Sequence, residues 1–261
     1  LRIILMLRNR VIFSLIYSSG SSNQSRNFRL QRVGDINWLQ TNYKFQNISF
    51  SLDELIVLNA SRNKKNIEEF GAVVTRLVRN VFIPIAAGGG IRNMQDVEIL
   101  FNSGADKVVL NSCLHDNPSL VKEIVQRYGS QSVIASIDYK LLDGHARVYI
   151  HDGSFEINES MSNYLSHIGE LGVGEILLNS IDKDGTGFGY DLSSIKKYSN
   201  EINVPLIIMG GAGNENHLNE GLGIEGVSAV ATANLFNFIG DGLPEARAFM
   251  LKEGANLAKW V

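Results

Sequence analysis

Glycines end two apolar runs in this chain, and glycines in that position can bind phosphate. Residues 83–91 read Ile-Pro-Ile-Ala-Ala-Gly-Gly-Gly-Ile, and residues 204–213 read Val-Pro-Leu-Ile-Ile-Met-Gly-Gly-Ala-Gly. Glycine lets backbone N–H groups approach an anion closely, and a following helix adds the positive end of its dipole. A single run of this kind more often forms only a tight turn. Two runs at matching places predict two phosphate cradles, one in each half of the molecule.

The wider pattern predicts the elements that hold these glycines. Eight apolar runs without polar alternation are typical of strands buried on both faces of a parallel sheet. Because helical segments separate them, we expect a single α/β domain, a closed (β/α)8 TIM barrel made of two duplicated (β/α)4 halves. A doubly wound open sheet is the alternative, and the two-half repeat argues against it. The predicted strands are residues 11–15, 54–59, 83–87, 107–111, 132–138, 175–181, 205–209 and 229–233.

The segments between the strands give helices, one insertion and one loop. Residues 18–27 are rich in Ser, Gly and Asn and predict a mobile loop. Residues 142–156 predict a polar hairpin insertion, and residues 36–50 contain a helix. Further helices are predicted at 67–81, 94–102, from Pro118 onward, and at 161–171, 192–201, 215–222 and 244–252.

Polar residues at the strand ends are the candidates for catalysis, because active sites of such barrels lie at the C-terminal ends of the strands. Asp138 ends the fifth strand, where a carboxylate can act as a general acid or base; a strand-end cap is the alternative. Asp184 is the second candidate, able to bind a hydroxyl group or to orient a cradle. The predicted phosphate ligands are Gly89, Gly90, Asn111, Ser112, Gly185, Gly210, Gly211, Ala233 and Asn234.

Charged residues begin four of the strands at the opposite end. They are Arg10, Glu54, Lys107 and Glu175, and we expect them to meet near the barrel axis. Burying charges is costly unless they pair, and two acids with two bases satisfy that condition. The set is either a stabilising plug at the barrel floor or a gate.

The composition limits the number of domains and the classes of partner. The chain has 261 residues, 44% hydrophobic and 20% charged, which suits one domain over residues 1–261, with residues 1–7 as an extension too short to cross a bilayer. A net charge of −3 gives no electrostatic case for nucleic acid or a membrane surface. Cys113 is the only cysteine, and we expect its thiol to be a packed structural side chain. The lack of a second cysteine also fits a protein of the reducing cytoplasm. The five histidines show no metal spacing, and neither a metal nor a cofactor is expected.

Several longer stretches resemble one enzyme family, the cyclase subunit of imidazole glycerol phosphate synthase (the HisF family). The resemblance runs from Arg8 to about Phe236. It implies a barrel of the ribulose-phosphate-binding type, a substrate with two phosphates, and a class I glutaminase docked on the N-terminal face. The most specific pieces are residues 87–91, 104–112, 174–186, 189–192 and 205–213.

The resemblance also assigns roles at the barrel floor. The family gates ammonia with a ring of Arg, Glu, Lys and Glu, and these types match the four charged residues at the strand starts. Asp106 matches a residue at the glutaminase contact.

Departures from the family concentrate at the mouth. The family cyclase uses two aspartates as acid and base, and the one on strand five matches Asp138. The one on strand one falls on Ile16, which cannot transfer a proton. The family's strand-two aspartate falls on Asn59, and a lysine of its first loop falls on Gln24. Since losing one general acid or base costs orders of magnitude in rate, the usual cyclization is in doubt.

A divergent branch of the family, associated with glycosyl amidation in surface-polysaccharide gene clusters, fits these departures better. Its barrel resembles this chain in the apolar residue at position 16 and in residues 179–182 and 235–238. That branch implies ammonia passed to a third, sugar-amidating enzyme, with a phosphorylated or sugar-linked small molecule as ligand. Two alternatives stay open: a genuine cyclase of histidine biosynthesis, and a non-catalytic scaffold for the glutaminase.

Overall fold

The fold is a closed (β/α)8 barrel, as the strand pattern predicts. The computed structural model describes residues 8–43, 48, 50–62, 65–234, 236–238 and 240–259; the predicted extension at 1–7 and position 235 lie outside them. Among these residues the strands are β1 (Arg10–Ser18), β2 (Ser21–Arg26), β3 (Arg29–Gly34), β4 (Glu54–Asn59), β5 (Ile85–Gly88), β6 (Lys107–Leu110), β7 (Val133–Leu142), β8 (His145–Ile150), β9 (Phe155–Ser160), β10 (Glu175–Ser180), β11 (Leu206–Met209) and β12 (Val227–Thr232).

Helices follow the barrel strands and cover the outside. They are α1 (Ile36–Tyr43), α2 (Ile67–Val78), α3 (Met94–Asn102), α4 (Ser112–Asp116), α5 (Pro118–Tyr128), α6 (Met161–Glu170), α7 (Leu192–Tyr198), α8 (Glu215–Leu222) and α9 (Gly242–Lys252). Helix α2 shows why: Phe70, Val74 and Leu77 recur at helical spacing and are all buried against the sheet. None of the helices in the described ranges is long and apolar enough to cross a membrane.

The barrel closes through parallel pairing of eight strands. The order is β1–β4–β5–β6–β7–β10–β11–β12, and β12 pairs back with β1, with Arg10 opposite Ala229. Side chains alternate across each strand, so every second residue points into the barrel. On β1 these inward positions are Arg10, Ile12, Ser14 and Ile16. The inward face therefore carries charge at the floor, apolar side chains in the middle and the site at the mouth.

The prediction of a mobile loop at residues 18–27 is wrong. Strand β1 runs on to Ser18, and β2 folds back on it with Asn23 opposite Ile16. Strand β3 pairs with β2 across a two-residue turn, in which Asn27 and Phe28 both adopt positive φ, as such hairpin turns require. This hairpin lies over the barrel mouth and is stabilised by backbone pairing rather than by burial of an apolar face. Its sequence is therefore polar, and a polar composition predicts a loop.

The predicted insertion at residues 142–156 is a three-stranded antiparallel extension. Strand β7 continues beyond the barrel to Leu142, pairs with β8, and β8 pairs in turn with β9. Its turn at His151 and Asp152 has positive φ at both residues and reaches back to the barrel mouth.

The C-terminal helix α9 is fixed to the barrel floor by a buried ion pair. Arg247 is 4% exposed and makes two hydrogen bonds to Asp53, at 2.8 and 3.0 Å. Asp53 also accepts the backbone N–H of Val11 at 2.8 Å, and Arg247 donates to the carbonyl of Ala258. The pair thus joins α9, the start of β1 and the start of β4.

We expect Arg247→Met to lower the free energy of unfolding by about 3–5 kcal/mol, because it leaves the Asp53 carboxylate buried without its cation. Chemical denaturation at neutral pH measures this. Arg127→Met is the matched control, since its ion pair with Glu98 is exposed and should cost about 1 kcal/mol or less. Equal losses in the two variants would contradict a structural role for the buried pair.

Candidate functional site

The four charged residues predicted at the barrel floor form a closed cycle of ion pairs, here called the floor ring. Arg10 binds Glu54 at 2.7 Å and Glu175 at 2.5 Å. The Lys107 ammonium binds the same two carboxylates, at 3.0 and 2.5 Å. Each acid therefore touches both bases, and the ring has no net charge. Its residues come from the starts of β1, β4, β6 and β10.

The two acids of the floor ring respond differently to burial. Burial raises the pKa of Glu54 above its ordinary value, although Lys107 and Arg10 oppose this. Burial acts on Glu175 in the same direction, but the hydrogen bond and charge of Arg10, with Lys107, outweigh it and hold the pKa of Glu175 below its ordinary value. Arg10 is also buried, and its two carboxylate partners overcome this and raise its pKa.

Above the floor ring the middle of the barrel interior is mainly apolar. Its middle layer includes small side chains, Ala86, Ala229 and Ala231, among larger aliphatic ones. Within the described residues, the buried Ser14 hydroxyl and the Asn179 side-chain oxygen have no hydrogen-bond partner. Buried polar atoms without partners are uncommon in proteins and need an explanation. Ser14 faces the barrel interior between the floor ring and the mouth, and Asn179 lies at the mouth beside Asp138.

Asp138 lies at the mouth, where the structure forms a central cavity of about 460 Å³. Asn179 donates to one of its oxygens at 2.8 Å and Asn111 to the other at 3.2 Å. Burial raises the pKa of Asp138 to about 7, against the opposing hydrogen bond from Asn179; the nearby Asp184 charge adds to the rise. A carboxyl group that titrates near neutrality can both give and take a proton.

The other residue of the expected acid–base pair is absent. Ile16 lines the same cavity as Asp138 and presents only an alkyl side chain to it. Asn59 is buried at the end of β4, where its side-chain oxygen accepts the backbone N–H of Ser61 at 3.1 Å. Among the acids that line this cavity in the described residues, Asp138 is the one whose carboxylate is held by amide side chains. The other acids are held in an ion pair or in a contact with the hairpin.

The predicted phosphate cradles follow the ends of β5 and β11 with matching geometry. Gly89 and Gly90 have φ of +99° and +95°, and Gly210 and Gly211 have +95° and +112°, values that favour glycine. A Cβ at Gly89 would meet the carbonyl of Asn59, the last residue of β4. A Cβ at Gly210 would meet the carbonyl of Ser180, the last residue of β10. The two halves thus repeat the same close approach of backbones.

The two cradles do not open into one space. Gly89, Gly90, Asn111 and Ser112 line the central cavity. Gly185, Gly210, Gly211, Ala233 and Asn234 surround a separate space of only about 10 Å³, roughly enough for one water molecule. Met209, Ala233 and Asp184 border both spaces, which therefore adjoin each other. The phosphate-binding roles of these residues stay predictions.

Asp184 holds the β2–β3 hairpin over the mouth. Its carboxylate accepts the Ser25 hydroxyl at 2.5 Å and the Phe28 backbone N–H at 3.0 Å. The Asn27 side chain donates to the carbonyls of Ile181 and Asp182, both at 3.1 Å. Burial raises the pKa of Asp184, with the two hydrogen bonds opposing. These contacts engage the carboxylate in positioning, and its predicted part in proton transfer stays a prediction.

Sequence reasoning missed the cations around the first cradle. Arg62, Lys65 and Arg92 all line the central cavity, and Lys65 pairs with Asp152 of the β8–β9 turn at 2.9 Å. The backbone of His151 in the same turn donates to the Ser112 hydroxyl at 3.0 Å. The basic run at residues 61–65, directly after a strand, was a usable signal for a cationic mouth.

Two further residues named in the sequence analysis have structural surroundings. Cys113 is buried, and burial raises the pKa of its thiol to about 12, which suits a packed side chain rather than a nucleophile. Asp106 lies at the start of β6, where its carboxylate accepts the backbone N–H of Ile85 at 2.8 Å. In the part of the chain that the structure describes, no cluster of His, Cys, Asp and Glu could hold a metal ion.

The Asp138 carboxyl should titrate near pH 7. Because its pKa is higher in the folded chain (about 7) than the ordinary 3.8, the folded state binds more protons between these values. The free energy of unfolding should therefore fall as pH rises from about 4 to about 7, on the order of 4 kcal/mol relative to Asp138→Asn. Carbon-13 NMR of labelled aspartate, assigned through the same variant, follows the titration directly.

Asn179→Ala tests the environment of this carboxyl. Removing the amide that favours the charged form should move the midpoint of Asp138 to higher pH. Asn234→Ala, at the other cradle, is the control and should leave the midpoint in place. A wild-type midpoint near pH 4 would contradict the raised pKa.

Comparisons with known proteins agree with this architecture. A family model described as histidine biosynthesis protein matches residues 19–240. The chain is 43% identical, over 98% of its length and 95% of the relative's, to a candidate imidazole glycerol phosphate synthase subunit, hisF2, of Parasynechococcus marenigrum (strain WH8102). It is 35% identical to the imidazole glycerol phosphate synthase subunit HisF of Chloroherpeton thalassium (strain ATCC 35110 / GB-78), over 95% of this chain and 98% of the other.

A third relative extends the same relationship. It is the imidazole glycerol phosphate synthase subunit HisF of Exiguobacterium sp. (strain ATCC BAA-1283 / AT1b), 34% identical over 89% of each chain. The barrel, the paired glycine cradles and these identities converge. The chain belongs to the histidine biosynthesis protein family and, within it, to the HisF-like imidazole glycerol phosphate synthase subunits.

Proposed function

We propose that this chain is a synthase subunit that receives ammonia from a partner glutaminase and conducts it through the barrel, for amidation of a surface-polysaccharide sugar in the cytoplasm. One observation carries the proposal: the floor ring is complete, while of the two expected aspartates at the mouth only Asp138 is present and the other position is Ile16. The parts needed to admit ammonia are present, whereas the acid–base pair expected for cyclization is not.

The floor ring has the properties of a gate for a neutral molecule. Its four charges cancel, so a molecule that passes through meets no net charge there. Lys107 makes its contacts through one ammonium on a flexible stem, whereas Arg10 is held by a planar fork on both acids. Lys107 is therefore the member whose movement opens the ring at least cost. The unpaired hydroxyl of Ser14 and oxygen of Asn179 then offer ammonia hydrogen bonds on its way to the mouth.

The mouth has the group that amidation needs. When ammonia attacks the carbon of an activated acetamido group, a C–N bond forms and the nitrogen must lose a proton. The Asp138 carboxylate takes this proton, and its pKa of about 7 leaves a useful charged fraction at neutral pH. The activated oxygen leaves with the activating group, which a third, sugar-amidating enzyme supplies.

The floor also offers a surface for the glutaminase. Phe82, just before β5, is 81% exposed, and Phe50, before β4, is 63% exposed. Large exposed aromatics on one face are typical of interaction sites. Asp106 lies next to this face, at the start of β6, and is the polar contact we assign to the same partner.

A genuine cyclase of histidine biosynthesis is the second candidate. The retained Asp138 and the two geometrically equivalent glycine cradles favour it, since a substrate with two phosphates would use both. Against it stands Ile16, which lines the central cavity where the expected second aspartate would be.

We expect the purified chain to show no turnover of the phosphoribulosyl imidazole carboxamide substrate with ammonium salts, because Ile16 cannot transfer a proton. Ile16→Asp, which restores a carboxyl group facing Asp138, should produce turnover at least about a hundredfold above the wild type. Ile16→Asn, similar in size but not acidic, is the control. Robust wild-type turnover would favour the cyclase and overturn the amidation proposal.

Lys107→Met should uncouple the two subunits in the reconstituted complex. With glutamine labelled by nitrogen-15 in its amide and unlabelled ammonium in the buffer, the wild-type complex should build mostly labelled nitrogen into the acetamidino sugar. The variant should take most of its nitrogen from the buffer, because the floor ring no longer passes ammonia normally. Mass spectrometry of the product gives the ratio.

Lys122→Met on the exposed face of α5 is the control for the loss of a lysine. It should keep the wild-type isotope ratio. If Lys107→Met also keeps it, ammonia does not travel through the floor ring. If glutamine hydrolysis persists without labelled product even in the wild type, the chain is only a scaffold for the glutaminase.

A further inference from the structure

A second, larger cavity lies on the outer side of the β2–β3 hairpin. This outer groove has a volume of about 1000 Å³ and runs between the hairpin, the loop after β10 and the segment after β12. Of its lining residues only Leu30 also lines the central cavity. The hairpin therefore separates two spaces of different composition.

Strand alternation decides which hairpin residues face the outer groove. Ser25 points toward the barrel and binds Asp184, so its neighbours Gln24 and Arg26 point outward and line the groove. On β3, Arg29 and Gln31 do the same. The register pairs Arg26 directly with Arg29. Two arginines therefore face the same space from opposing strands.

This arrangement is unfavourable without an anion. Like charges directly opposite each other on paired strands destabilise a sheet. In the described ranges neither arginine has an acidic side chain within ion-pair distance. Lys140 adds a third cation to the groove, with its ammonium 4.3 Å from the centre of the Tyr149 ring. The groove's acid, Asp182, already accepts the backbone N–H of Leu141 at 2.8 Å.

We infer that the outer groove binds the phosphate ester of a sugar, with the phosphate held between Arg26 and Arg29. Arginine suits this ligand because its planar fork donates two hydrogen bonds to one phosphate. The groove is at the upper end of the volumes of small-molecule sites, so it accommodates far more than a lone phosphate ion. Phe236, 51% exposed, gives the ligand an apolar surface, while Gln31 and Asn237 offer hydrogen bonds to sugar hydroxyls.

The outer groove also leads to the second glycine cradle. Gly185, Asn234 and Gln24 line both the groove and the small space beside Gly210 and Gly211. A ligand in the groove can thus reach the backbone of the second cradle without entering the central cavity. Binding of a ligand in the outer groove does not depend on the proposed function.

Titration calorimetry of the purified chain tests the inference with three probes: uridine diphosphate N-acetylglucosamine, N-acetylglucosamine 1-phosphate and unphosphorylated N-acetylglucosamine. We expect both phosphorylated probes to bind, more weakly as salt increases, and the unphosphorylated sugar not to bind. Tighter binding of the first probe would identify a nucleotide-linked sugar, and equal binding a simple sugar phosphate.

Arg26→Gln and Arg29→Gln should each weaken binding of the better probe at least about tenfold, the effect of losing one charged hydrogen-bonding group. Arg32→Gln is the matched control, since Arg32 lies on the same hairpin and does not line the groove. Its affinity should equal that of the wild type. Thermal unfolding checks the fold, and removing one of two opposed arginines should not lower the midpoint.

Two results would overturn the inference. One is the absence of binding by either phosphorylated probe. The other is a loss in Lys65→Gln larger than in either arginine variant, which would place the phosphate in the central cavity. Neither result bears on the nitrogen-15 experiment, and a failed nitrogen-15 experiment leaves the binding result standing.

Discussion

Four charges buried at the floor of the barrel must cancel one another, and much of the structure follows from that requirement. Each acid of the floor ring touches both bases, so removing any one member leaves a buried charge without its partner. An apolar plug of similar volume would close a barrel as well or better. Since stability alone does not explain this costly polar ring, we propose that it passes a small polar molecule.

The same principle of satisfied burial organises the mouth. Asp184 is buried because it holds the Ser25 hydroxyl and the Phe28 backbone, and that contact lays the β2–β3 hairpin across the opening. The hairpin leaves Asp138 in the central cavity with two amide donors and places Arg26 and Arg29 outside. One buried carboxylate thus separates the central cavity, where we propose that Asp138 takes a proton, from the outer groove, where we infer that phosphate binds.

The barrel, its strand starts and the glycine cradles could be predicted because each depends on local pattern. Apolar runs without alternation predict buried parallel strands. The charged residues of the floor ring could be identified because each lies at the start of such a strand. The hairpin at residues 21–34 could not, because its sequence is polar and its stability comes from pairing with β1 and from Asp184, 159 residues away from Ser25. The cations at positions 62 and 65 were missed for a related reason, since loop charges acquire meaning only when the fold brings them to a cavity.

Ile16 connects these features into one functional argument. A cyclase needs two groups to move protons in sequence, whereas attack by neutral ammonia on an activated carbon releases one proton from the nitrogen and needs one acceptor. Asp138, with its pKa raised to about 7 by burial, is suited to that single task. Ile16 lines the same cavity and adds neither a charge nor a polar group to it. In the function that we propose, position 16 therefore disfavours cyclization, whereas amidation needs only the one proton acceptor that Asp138 provides.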